Sequence, residues 1–124
     1  MPFYHNIKVL VERKDTNSYP YPVAFDFDLT GLVNPPYGEG NRSLGLERLT
    51  DRQYRGYPRS MGEIEAAANI FIQKEEAIYS LIKNFTLLSD KNKNEMLNFL
   101  AIFFKEIKNK KKLKSICIDK AIEN

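Results

Sequence analysis

Ile7-Lys8-Val9-Leu10-Val11 and Tyr21-Pro22-Val23-Ala24-Phe25, separated by a polar run over residues 12–18, decide how this chain reads. The first stretch is apolar with a single lysine and rich in β-branched residues, which suits an extended strand. The run between them is built of Lys, Asp, Thr, Asn and Ser, side chains that bond their own backbone and form turns. In the second stretch Tyr21, Val23 and Phe25 alternate with smaller residues, and Pro20 and Pro22 limit pairing near its start. Two strands joined by a short polar turn close most economically as an antiparallel hairpin, expected over residues 3–32.

Outward from the hairpin the composition changes twice. Residues 33–59 read as a loop: Pro35, Pro36 and Pro58 fall there or at its edge, and five of the six glycines lie between residues 31 and 58. Such residues interrupt regular ladders and permit unusual dihedrals. A structureless loop of this length in a compact domain is normally functional or held against another surface. From residue 60 to 124 the period is helical. Ser60 and Glu63 form an S-x-x-E capping box. Ile64, Ala67, Ala68, Phe71, Ile78, Leu81, Ile82 and Phe85 then recur at spacings of three and four. Ser89 or Asp90 can cap a second helix carrying Leu97, Leu100, Phe103, Phe104 and Ile107, and a third, short helix is expected around Leu113, Ile116 and Cys117. The expectation is an α+β chain: an N-terminal antiparallel β-hairpin, a long loop, then two or three amphipathic helices. Residues 1–124 then make a single, partial domain, because a two-stranded hairpin is marginal alone and two or three helices bury little.

Bulk properties exclude several classes. At 124 residues, 43% hydrophobic and 28% charged, the chain fits one globular domain and is too apolar for disorder. No apolar run approaches the roughly 18 residues of a membrane span. Met1-Pro2-Phe3-Tyr4-His5 lacks the basic and apolar regions of a secretory signal, and nothing else in the chain fixes a compartment. The lone Cys117 reads as a small core residue. The single histidine, His5, has no nucleophile or orienting group near it in sequence, so it reads as structural. Residues 1–57 balance seven Lys+Arg against seven Asp+Glu, whereas residues 105–114 hold six lysines and one acid, Glu106. Lysines at a helix end suit the negative pole of its dipole. Lys110, Lys111 and Lys112 are nevertheless the candidate anion or nucleic-acid contacts. Nucleic acid is the weaker partner, because no aromatic residue interleaves them for base stacking.

Chemistry concentrates at the hairpin. Asn6 precedes the first strand, and Asp26 and Asp28 follow the second, so an antiparallel pairing sets Asn6 beside Asp26. Asp26 and Asp28, two apart in an extended chain, share a face. Oxygen ligands gathered at one end of a hairpin suit a hard cation such as Mg²⁺, which takes one or two carboxylates and completes its shell with water and phosphate.

His5-Asn6-Ile7-Lys8-Val9-Leu10 and Tyr21-Pro22-Val23-Ala24-Phe25-Asp26-Phe27-Asp28-Leu29-Thr30-Gly31-Leu32-Val33-Asn34 together resemble the CotH kinase-like family, with its HN-strand, turn, and strand ending in P-x-D-x-D. Asp51-Arg52-Gln53-Tyr54-Arg55-Gly56 is similar to a Y-x-G stretch in uncharacterised bacterial proteins of this type. The likeness covers roughly residues 3–60. It implies that Asp26 is the metal-binding Asp after the hairpin, that Asn6 is the metal-binding Asn, and that Asp28 is a second ligand. The ion is Mg²⁺ or Mn²⁺, with ATP in the full-length parent. The catalytic Asp, the anchoring Lys and a glycine-rich phosphate loop are not found, and phosphoryl transfer depends on them. The expectation is therefore a C-terminal fragment that holds metal ligands and is inactive alone. Its partner is the missing N-terminal part of the same protein, or another copy.

Two other readings compete. Asn34-Pro35-Pro36-Tyr37 is the N-P-P-Y of amino-methyltransferases, whose Asn accepts bonds from a flipped base. That reading lacks a glycine-rich turn for S-adenosylmethionine and an alternating βαβ pattern. The second is a non-catalytic interaction module using the lysine-rich C-terminal helix.

Overall fold

The computed structural model describes residues 7–14 and 19–121. The expected α+β order is present. Strand β1 (Ile7–Leu10) pairs antiparallel with β2 (Tyr21–Ala24) in the register Ile7↔Ala24, Lys8↔Val23, Val9↔Pro22 and Leu10↔Tyr21. Both strands are exposed along their whole length. The second strand stops before Phe25 because Asp26 takes a left-handed conformation, φ 61°, which ends the extended chain. Aspartate tolerates that region better than most residues.

Helix α1 (Met61–Asn84) begins at the anticipated capping box: the Glu63 N–H donates to Ser60 Oγ, and the Ser60 N–H donates to Glu63 Oε2 at 2.9 Å. The Ser60 hydroxyl also donates to Glu63 Oε2 at 2.8 Å, and this bond, followed by that of the Ser60 N–H, holds the Glu63 carboxyl below the usual range. Ser89, the first of the two candidates, caps α2 (Asp90–Ile107). Asn109 caps the short α3 (Lys110–Lys114), which widens into a single π-helical turn over Ser115–Asp119. Among the described residues no helix is long and apolar enough to cross a membrane.

The core is small. Ile64 and Ala68 of α1 pack on Leu113 of α3, with Met61, Ile107, Cys117 and Ile118 around them. Phe104 of α2 is buried between the rings of Tyr79 and Phe103, at centroid distances of 5.5 and 5.2 Å. The expected face of α1 is only partly covered. Ile64, Ala68 and Ile82 are buried, whereas Ala67, Phe71, Leu81 and Phe85 lie exposed. At 100° per residue, Ile64 to Phe85 together with Ile70 and Ala77 cover an arc wider than one helix seam. Helices α2 and α3 fill only one side of it.

The long loop is fastened rather than free. It contains one short 3₁₀ turn (Arg42–Leu44). The Arg52 guanidinium reaches α2, donating to the Phe99 carbonyl and to Glu106 at 3.0 Å each, with its Cζ 4.8 Å from the Phe99 ring centre. Asp51 accepts from the backbone N–H groups of Glu47 and Arg48 and from the Arg48 side chain. These contacts pull the Asp51 carboxyl below its usual range. The loop is thus one of those held by a neighbouring surface, here α2.

Candidate metal centre

The hairpin delivers its second strand straight into Phe25-Asp26-Phe27-Asp28. Directly after it the chain turns: Thr30 donates its N–H and its hydroxyl to the Phe27 carbonyl, at 3.2 and 2.8 Å. A second turn over residues 35–38 is closed by the Gly38 N–H on the Pro35 carbonyl. The two turns fold Tyr37 back onto the hairpin exit, where its hydroxyl donates to Asp28 Oδ2 at 3.1 Å.

Asp26 and Asp28 meet, as their spacing predicts, though by another route. The chain is not extended at Asp26. Its left-handed backbone and the following turn bring the carboxyl groups together. A hydrogen bond with Asp28, then the negative charge of Asp28, push the Asp26 carboxyl above its ordinary value of 3.8. The hydrogen bond that the same aspartate accepts raises the Tyr37 hydroxyl, with partial desolvation of the hydroxyl adding to it. Two carboxylates in contact repel unless a proton or a cation lies between them. Among the described residues no group of three or more His, Cys, Asp or Glu side chains gathers to hold a metal. The site is a carboxylate pair with a tyrosine hydroxyl. The groups here that could hold a cation are the two carboxylates, and the tyrosine hydroxyl is a donor to one of them. Asn6 and His5 lie outside the described residues.

This contact makes a direct expectation. In a ¹³C carboxyl titration without added cation, Asp26 titrates above 3.8, and Asp28→Asn returns it towards that value. The sign follows from linkage: a raised carboxyl pKa favours the folded arrangement at low pH, and the gain is lost as pH rises through that pKa. An Asp26 titration unmoved by Asp28→Asn would show that the two groups do not share the site.

The remaining candidates are dispersed. Asn34, Pro35 and Pro36 border a cleft of about 500 Å³ against Leu88, Lys91 and Met96. Tyr37 is 69% exposed and committed to Asp28. Lys110 pairs with Glu65 of α1 at 2.9 Å, and Lys108 pairs with Glu75, so part of the lysine run fastens the C-terminal segment to α1. Lys111 and Lys112 instead border a groove of about 840 Å³ between the loop, α2 and the C-terminal turn. Cys117 is half-buried, and burial raises its thiol. The Tyr37 contact is not readable from sequence, since it joins residues nine apart and depends on the turn over residues 35–38.

Comparison of the chain with protein-family models, with curated proteins and with solved structures gives no match.

Proposed function

We propose that Asp26 and Asp28 are this chain's share of a divalent-cation site in a kinase-like lobe, with Mg²⁺ or Mn²⁺ as the ion. The observation that carries this reading is the meeting of two carboxylates at the exit of a hairpin, where kinase-type sites place a metal-binding Asp. A bound ion supplies charge neutralisation and a bridge to nucleotide phosphates. Asp26 is the principal ligand and Asp28 the second, held in place by Tyr37. Asn6 is the third, on the resemblance to the CotH kinase-like family. Within these 124 residues no anchoring Lys or glycine-rich phosphate loop is recognisable. The reading therefore assigns metal holding to this chain, and phosphoryl transfer with ATP to the full-length parent.

Titration with Mn²⁺, followed by paramagnetic broadening of amide resonances, tests this. Broadening centred on Asp26, Asp28 and Tyr37 is expected at low Mn²⁺, with affinity reduced at least about tenfold in Asp26→Ala, on the scale of losing a metal-site partner. Identical broadening in both proteins removes the metal site. It would leave the second reading, a non-catalytic interaction module, which is favoured by Lys111 and Lys112 standing beside an open groove.

A further inference from the structure

The hairpin has one edge interrupted by proline and one open edge. Pro22 has no N–H, so Val9↔Pro22 cannot exchange two backbone bonds and must be a non-hydrogen-bonded pair. Lys8↔Val23 and Leu10↔Tyr21 are then the bonded pairs, and the backbone groups of Ile7 and Val9 point away from β2, as those of Val11 do when the strand is continued by two residues. On the far side of β2 the outward positions are Pro22 and Ala24; Pro22, like Pro20 just before the strand, offers no donor, which leaves the Ala24 N–H alone there. Proline on an outer strand is a common means of blocking further pairing. β1 has no such block. Its outward residue Val9 is 57% exposed, and Val11 just past the strand is 61% exposed.

We propose that β1 pairs antiparallel with β1 of a second copy of this chain, forming a four-stranded sheet in the order β2-β1-β1-β2. Among the registers that pair outward backbone groups with one another, the charge pattern selects one, with the two-fold axis at Leu10. Val9 then lies opposite Val11 of the other copy, and both carry outward backbone groups, so they form a fully bonded pair. Lys8 lies opposite Glu12 of the other copy in a non-bonded pair, where side chains approach most closely. This happens twice per dimer. Lys8 and Glu12 also share a sheet face, since they lie four residues apart in a period of two. Neither has an ion-pair partner within the chain among the described residues. Shifting the register by two in either direction sets Lys8 against Leu10 or against Lys14, and both lose the charge match. The inference does not depend on the metal site.

Sedimentation velocity of the full chain over a wide concentration range tests it. The wild type is expected to dimerise. Lys8→Glu and Glu12→Lys each replace two attractive pairs by two repulsive ones and should weaken the dimer about tenfold. The double swap Lys8→Glu/Glu12→Lys should restore it. Val9→Pro, which removes an outward N–H and leaves the bonds to β2 intact, should abolish it while the circular dichroism of the helices is unchanged. A monomer at every concentration overturns the proposal. So does a double swap as weak as the single variants, or a dimer that survives Val9→Pro, which would place association on the exposed side of α1.

Discussion

Phe104→Ala should cost about 3–5 kcal/mol, the usual loss for truncating a buried aromatic ring. Phe104 is the largest fully buried side chain among the described residues, at 2% exposure. Its ring lies tilted against Tyr79 of α1 and meets the neighbouring Phe103 edge-on, and Phe103 in turn meets Phe71 edge-on at 5.6 Å. The residue therefore joins α1 to α2 through an aromatic cluster worth more than its area alone. A small domain holds only about 5–15 kcal/mol in all. Among the described residues few other buried apolar side chains share the load: Ile64, Ala68, Ile82 and Leu113. Urea denaturation followed by circular dichroism should show a midpoint moved far to lower urea, or no folded baseline at all. Phe104→Leu keeps most of the volume and should cost much less, about 1–2 kcal/mol. Equal losses for the two variants would mean that the ring contacts contribute nothing beyond filling space.

How far the sequence could be read follows from what each feature depends on. The hairpin was legible because alternation, a polar turn and two prolines are local signals, and the start of α1 because Ser60 and Glu63 satisfy each other within one turn. The loop was legible from glycine and proline alone. Which side of α1 would be covered was not, since periodicity marks an apolar arc and does not say how much of it a neighbour fills. Lys108 and Lys110 looked like solvated helix-end charges, and their pairing with Glu75 and Glu65 became visible only once α3 folded back on α1. At the candidate site, the spacing of Asp26 and Asp28 placed them together, but on the assumption of extended backbone. The left-handed turn at Asp26 and the return of Tyr37 are consequences of how residues 27–38 fold, and no single residue announces them.

Gly31→Ala should detach the loop from α2 and disturb the carboxylate pair without touching either ligand. Gly31 is buried at φ 76°, and a Cβ there would lie 2.7 Å from the Leu49 carbonyl oxygen and 3.4 Å from the Phe99 ring. The left-handed backbone costs an alanine about 1–2 kcal/mol. The contact adds about 1–3 kcal/mol, because overpacking forces a shift. The Leu49 carbonyl has little freedom to retreat: Asp51 holds the chain at Glu47 and Arg48 just before it, and Arg52 is fixed to Phe99 and Glu106 just after. The strain therefore passes to the segment leading back to Asp28, three residues away. Hydrogen exchange should quicken over residues 27–52 while α1 and α2 keep their protection, and Mn²⁺ affinity should fall in the same variant. Gly45→Ala separates the causes. Gly45 has a similar φ, 71°, but nothing lies within 4 Å of an added Cβ, so only the backbone cost of about 1–2 kcal/mol remains. If Gly45→Ala loosens the loop as much as Gly31→Ala, the packing of Gly31 on Leu49 and Phe99 is not what holds the hairpin exit in place.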